Sequence, residues 1–145
     1  VTGDGYPDLL ACSGANEQVD HYAGDGLGGF GTPVLIGPVL NPKHIKTADL
    51  DQDGDLDVVL ADEHLDLLMW LENPGPSVEP FWSAHVVDKS RYYLLWCHSV
   101  DLGDVDGDGD LDIAVAACGG NVILLYLNHL LQDGPRDGWL ASTFP

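Results

Sequence analysis

The chain combines an ordinary globular composition with an extreme charge. It has 145 residues, 45% of them hydrophobic, and a formal net charge of −19 at pH 7. A chain of this size and apolar content can bury a sizeable core, so the acidity does not indicate disorder. Only five residues are lysine or arginine, which excludes a basic surface for nucleic acid. No apolar run approaches the roughly 18 residues that a membrane span needs.

Three cysteines, Cys12, Cys97 and Cys118, cannot all pair within one chain, and their spacing is not typical of a zinc site. We expect buried free thiols. No signal peptide is recognisable, and the chain begins at Val1 without methionine. We therefore expect a processed product or part of a longer protein.

The first predicted element is an incomplete aspartate loop at residues 2–8. It keeps Asp4 and Asp8, with Thr2 in place of a third aspartate. Short β-type runs follow at 9–12 and 19–22, then a glycine-rich connection and an outer run at 34–36. Continuous apolar runs of this length are typical of strands that are buried on both faces.

The second unit repeats this order and places one more strand in front of it. A run at 44–48 precedes a complete loop, Asp49–Asp57, with the pattern D-x-D-x-D-G-D-L-D. The following runs and connection lie at 58–61, 67–71, 73–80 and 85–87. The loop is therefore expected between the first and second strands of a four-stranded unit.

The third unit has the same plan around a second complete loop, Asp104–Asp112. Its runs and connection lie at 98–102, 113–116, 122–127, 133–138 and 139–141. The stretch 122–131 also allows a helix, because it is apolar all round. Its β-branched start, its lack of helix caps and its place in the repeat favour a strand.

The repeat length indicates the architecture. The loop glycines Gly5, Gly54 and Gly109 are 49 and 55 residues apart, and a period of about 50 residues is typical of a β-propeller blade. We expect an all-β fold with about three blades of four antiparallel strands in one propeller segment. The blades are expected at about 1–40, lacking its first strand, about 41–90 and about 91–145.

Alternating carboxylates around a turn glycine are suited to a hard cation. Calcium takes six to eight oxygen ligands, and a glycine at the sixth position lets the loop bend. Twelve of the 24 acidic residues lie in the three loops. Much of the negative charge is therefore concentrated where bound cations would neutralise it. Magnesium tolerates crowded protein sites poorly, and an EF-hand would need a glutamate at position twelve, where Leu60 and Val115 stand.

We predict two calcium sites and a weaker third. Positions one, three, five and nine would supply carboxylates, and position seven its backbone carbonyl. The candidate ligands of the two complete loops are Asp49, Asp51, Asp53, Asp55 and Asp57, and Asp104, Asp106, Asp108, Asp110 and Asp112. In the incomplete loop only Asp4 and Asp8 remain, with the Thr2 hydroxyl. The bound ion is expected to stabilise the blade.

These loops resemble the FG-GAP/VCBS repeats of calcium-binding β-propellers. The segment 24–31, G-D-G-L-G-G-F-G, is similar to the family turn N-x-G-x-G-x-F-G, and 70–75, W-L-E-N-P-G, resembles its W-x-E-N-x-G version. The resemblance implies calcium at the loops, a secreted or cell-surface location, and a role in adhesion or carbohydrate recognition. Integrin α-subunit heads, fungal propeller lectins and some carbohydrate-active enzymes share such blades, so the blade identifies the fold and not the function.

Three blades cannot close a ring, and an open stack would leave strand edges exposed. We expect further blades of a longer chain, or copies of this chain that complete one another as an oligomer or, by strand exchange, a filament.

Two further groups of residues are candidates for ligand binding. His44 and His98 begin equivalent strands, which would place both near a central channel. The segment 89–93 joins positive charge to aromatic faces through Arg91, Tyr92 and Tyr93. Histidines at strand starts and buried aromatic side chains are more often structural.

The sequence thus favours a non-enzymatic extracellular module that binds a carbohydrate or protein ligand, because no nucleophile elbow, phosphate loop or catalytic triad is present. The alternatives are the propeller part of a carbohydrate-active lyase or dehydratase, with His44 and His98 in its channel, and a structural filament subunit.

Overall fold

A computed structural model describes residues 2–75, 82–89, 96–129 and 139–144. Within these ranges the chain forms strands and turns and contains no helix, so none could span a membrane. The strands are β1 (Leu9–Ser13), β2 (Gln18–Tyr22), β3 (Val34–Pro38), β4 (Pro42–Ala48), β5 (Asp57–Asp62), β6 (Leu67–Glu72), β7 (Ser83–Asp88), β8 (Cys97–Gly103), β9 (Asp112–Ala117), β10 (Val122–Asn128) and β11 (Trp139–Phe144).

The strands form three antiparallel sheets in chain order. Sheet 1 contains β1–β3, sheet 2 contains β4–β7 and sheet 3 contains β8–β11. Within each sheet, every strand pairs with its neighbour along the chain, as short connections favour. The predicted all-β class and the three-, four- and four-stranded division are confirmed. The three sheets do not close a ring.

The run 122–127 forms a strand, β10, and not the alternative helix. It pairs with β9 on one side and β11 on the other, which satisfies its backbone groups along its length. Strand pairing therefore decided between two structures that an apolar run of this length permits.

Sheet 2 packs against both of its neighbours. Strand β5 is buried along its whole length, as its apolar run predicts. Val58 and Leu60 pack with Val19 and Ile36 of sheet 1. On the opposite face, Val59 and Ala61 belong to a cluster with residues of sheet 3, including Ile113 and Val115.

The two faces of sheet 3 differ in burial. Ile113 and Val115 of β9 are buried, whereas the alternate residue Ala116 is exposed. Its cross-strand partner Ile123 is 55% exposed. The prediction that this run is buried on both faces is therefore wrong for β9, because only one face of sheet 3 meets another described sheet.

None of the three cysteines forms a disulfide bond. Cys97 is buried and Cys12 half-buried, but Cys118 is exposed, because it lies in the turn after β9. The expectation of buried thiols thus fails for Cys118. Burial raises the pKa of the Cys97 thiol to about 12, so this cysteine is a packing group rather than a reactive one.

Candidate metal centre

The two complete aspartate loops lie between the first and second strands of their sheets, as predicted. One joins β4 to β5 and the other joins β8 to β9. Gly54 and Gly109 have φ angles of 98° and 97°, a left-handed conformation that glycine adopts without steric cost. These glycines let each loop fold back over its own carboxylates.

Each loop gathers its first three aspartates. Carboxylate oxygens of Asp49, Asp51 and Asp53 lie within 4.8 Å of one another, and those of Asp104, Asp106 and Asp108 form an equivalent group. In the first group, the Gly54 N–H donates to Asp49 Oδ2 at 3.1 Å and the Asp55 N–H to Asp53 Oδ1 at 2.9 Å. The backbone holds the carboxylates together despite their like charge.

The donor set fits a hard divalent cation. Among the described residues, the lysines that form ion pairs are Lys43 and Lys46, and both pair outside the loops. Asp49 Oδ1 is buried and has no hydrogen-bond partner, which is costly for a charged oxygen. Burial raises the pKa of Asp51, and the nearby carboxylates of Asp53, Glu72 and Asp49 raise it further. A calcium ion would neutralise this charge and occupy the unpaired oxygen.

The aspartates at position seven lie outside these groups. Asp110 is 5% exposed, and its Oδ1 accepts a hydrogen bond from Gln52 Nε2 at 2.8 Å. Burial raises the pKa of Asp110, and the neighbouring loop carboxylates add to the effect. Asp55 lies against the turn at Gly75. That both residues offer a backbone carbonyl to the ion stays a prediction.

The aspartates at position nine brace the fold. Asp57 accepts hydrogen bonds from the N–H groups of Leu50, at 3.1 Å, and Asn73, at 2.9 Å. Burial, opposed in part by these two bonds, raises the pKa of Asp57 to about 6. Asp112 accepts the equivalent bonds from Val105 and Asn128, at 2.7 and 2.9 Å. Both oxygens of each carboxylate thus accept hydrogen bonds from backbone N–H groups. The sequence motif did not predict this role. Their role as metal ligands stays a prediction.

In the incomplete loop, Asp8 takes the same bracing role. It accepts hydrogen bonds from Thr2 N–H and Oγ1 and from the Gly24 N–H. His21 Nε2 lies 3.3 Å from Asp8 Oδ2. Burial acts to raise the pKa of Asp8, but these hydrogen bonds outweigh it and hold the pKa well below its usual range. Asp4 caps the Tyr6 N–H. Within the described ranges this loop does not gather three acidic groups.

The profile of the FG-GAP-like repeat matches residues 1–60 and 49–115. The chain belongs to the FG-GAP-like repeat family. Each matched segment contains two aspartate loops, and both contain Asp49–Asp57. No curated protein and no solved structure gives a significant match to the chain. The predicted family is confirmed.

In this FG-GAP-like chain, the predicted channel histidines have separate environments. His44 is half-buried, and its Nδ1 accepts the Val100 N–H at 3.1 Å, which joins sheet 2 to sheet 3. His98 Nε2 lies 3.7 Å from Glu63 Oε1, and its side chain is 50% exposed. The predicted ligand residues Arg91, Tyr92 and Tyr93 lie outside the described residues.

Sequence reasoning missed the residues that join the two complete loops. Gln52 reaches from the first of them to the second, and Asn128 donates to backbone carbonyls of both. One signal was present for Asn128. Asn73 and Asn128 both stand 19 residues after their loop glycines. No comparable signal marks Gln52, because its partners lie in another repeat.

Proposed function

We propose that the chain is a calcium-stabilised, β-propeller-type module of an extracellular binding or adhesion protein. The observation that carries the proposal is the pair of three-aspartate groups at equivalent turns of an FG-GAP-like repeat. The loop that contains Asp49 supports it further, because one of its buried carboxylate oxygens has no partner.

The role proposed for calcium is structural. Each loop connects two strands, and the aspartate at its ninth position accepts N–H groups from the loop and from the end of the following hairpin. An ion at the three aspartates would lock the loop on which this bracing depends. Extracellular calcium modules work with dissociation constants of about 0.1–1 mM, which suits the proposed location.

The first test is calcium-dependent stability. A ligand at about 100 times its dissociation constant adds about 2.7 kcal/mol per site. For a chain of this length, two filled sites should raise the melting temperature by roughly 10 °C or more. Thermal unfolding in calcium and in excess EDTA measures the shift, and magnesium at the same concentration should give a smaller one.

The matched control is the double variant Asp51→Asn, Asp106→Asn, which removes one charge from each group and keeps the side-chain shape. It should lose most of the calcium-dependent shift while melting cooperatively in EDTA. Identical melting curves for the native chain in calcium and in EDTA would refute the proposal.

A second test separates a binding module from the carbohydrate-active enzyme. The suitable variant is His44→Asn, His98→Ala, because asparagine can keep the acceptor for the Val100 N–H. For a binding module, this variant should retain the native binding to an array of neutral and acidic oligosaccharides. If the native protein instead converts these oligosaccharides to unsaturated products and the variant does not, the enzyme alternative is correct.

A further inference from the structure

The fourth position of the aspartate loops has an unusual residue in one copy. Gly3 and Gly107 occupy this position in the incomplete loop and in the loop of sheet 3, with φ angles of 71° and 82°. In the loop of sheet 2 the residue is Gln52, with φ of 59°. Residues with a side chain adopt this left-handed conformation at a cost. Strain of this kind is found more often where the side chain has a role.

The Gln52 side chain contacts the neighbouring loop. Its Nε2 donates to the Gly109 carbonyl at 3.2 Å and to Asp110 Oδ1 at 2.8 Å. Gln52 stands between Asp51 and Asp53, two candidate calcium ligands of its own loop. Its partners follow directly after Asp108, the third aspartate of the other group. One side chain therefore joins the ligand-bearing backbones of both groups.

A second side chain, Asn128 of sheet 3, also connects the two loops. Asn128 is fully buried, and its Nδ2 donates to the Leu50 carbonyl at 3.1 Å and to the Leu111 carbonyl at 3.2 Å. Leu50 lies between Asp49 and Asp51 in the first loop, and Leu111 precedes Asp112 in the second. Gln52 and Asn128 thus connect the two loops through separate hydrogen bonds.

We propose that Gln52 is a positioning residue that couples the two calcium sites, so that filling one site raises the affinity of the other. This inference rests on the proposed function, since it requires calcium at both loops. An ion bound by Asp51 and Asp53 fixes the backbone of Gln52. The fixed side chain then holds the peptide at Gly109 and Asp110, where the second loop must present the carbonyl at position seven.

The expected size of the coupling between the two sites follows from the hydrogen bonds that transmit it. The two hydrogen bonds of Gln52 should make the coupling about three- to tenfold in affinity, because a hydrogen bond contributes modestly to stability and only part of that contribution depends on the ion. The coupling must be reciprocal, so disabling either loop should weaken the other by the same factor.

The experiment is a calorimetric titration with calcium of three proteins: the native chain, Asp53→Asn and Asp108→Asn. Each single variant leaves one loop intact. The product of the two native association constants, divided by the product of the constants of the two variants, gives the coupling factor. We expect a value between about 3 and 10.

The same three titrations are then repeated in a Gln52→Gly background. This substitution places the residue found at the same position in the other two loops, so it relieves the local strain and should fold. The coupling factor should fall to about 1. Gln18→Ala is the matched control, because Gln18 Nε2 also donates to a carboxylate, Asp20 Oδ2, but within sheet 1. It should leave the factor unchanged.

A readout without calcium tests the contact itself. In EDTA, Gln52→Gly should speed amide hydrogen exchange at Gly109 and Asp110, and Gln18→Ala should not. Absence of calcium binding by the native chain would overturn the proposed function and the coupling together. Binding with a factor of 1 would overturn the coupling alone. A factor that persists in Gln52→Gly would overturn the role of Gln52.

Discussion

The loops Asp49–Asp57 and Asp104–Asp112 have the same aspartates but different environments. Asp49 and Asp51 are half-buried, whereas Asp104, Asp106 and Asp108 are all exposed. Asp104 satisfies both of its oxygens with the N–H groups of Gly107, at 2.7 Å, and Gly109, at 3.2 Å. Asp49 uses only Oδ2 in this way, and its Oδ1 is left without a partner.

The two loops also differ at the fourth position. In the loop of sheet 3 this residue is Gly107, and its N–H donates to Asp104 Oδ1. In the loop of sheet 2 it is Gln52, no donor reaches Asp49 Oδ1, and the Gln52 side chain hydrogen-bonds to the neighbouring loop. A shared motif therefore does not make the loops equivalent. Both oxygens of Asp104 accept a backbone hydrogen bond, whereas one oxygen of Asp49 has no donor.

The largest effect expected from this comparison is a reversal of pH dependence. Burial raises the pKa of Asp57 from its ordinary value of 3.8 to about 6. The folded protein thus binds this proton more tightly than the unfolded chain. Without calcium, the contribution of Asp57 to stability should be complete below about pH 4 and should fall by on the order of 2 kcal/mol as pH rises to about 6–7. Denaturant unfolding in EDTA across this range measures it.

With calcium present, the sign should change, because carboxylates must be ionised to hold the metal. Stability should then rise with pH across the same window. Asp57→Asn should flatten the calcium-free profile, and the carboxyl ¹³C shift of Asp57 should titrate near pH 6 in EDTA. A calcium-free stability that increases between pH 4 and pH 6 would contradict the assignment.

A smaller effect should distinguish the first aspartates of the two loops. In EDTA, Asp49→Asn should be more stable than Asp104→Asn by about 1 kcal/mol, the contribution of one hydrogen bond. The amide at position 49 can keep the bond from Gly54 and remove an unpaired charge. The amide at position 104 must turn an NH₂ group toward a backbone N–H. Chemical unfolding of the two variants side by side gives the difference.

In saturating calcium both variants should lose one site and have similar affinities for the remaining ion. Equal stabilities in EDTA would mean that the unpaired oxygen of Asp49 is satisfied in solution. The two loops would then be equivalent despite their different environments.

Much of the strand pattern was predictable because it depends on local periodicity. The apolar runs at 58–61 and 122–127, the turn glycines Gly54 and Gly109, and the grouping of each loop's first three aspartates all follow from neighbours in sequence. The bracing by Asp57 and Asp112 was not predictable. It depends on where Asn73 and Asn128 lie after the hairpin has folded back.

The sequence by itself determined the repeat, the family and the positions of the carboxylates, because a loop of nine residues brings its own side chains together. Only the tertiary structure decided which oxygens are already satisfied, which face of sheet 3 is covered, and that Gln52 meets Asp110 across 58 residues of chain. Those outcomes depend on the packing of one sheet against the next, and that packing brings together residues which no local pattern relates.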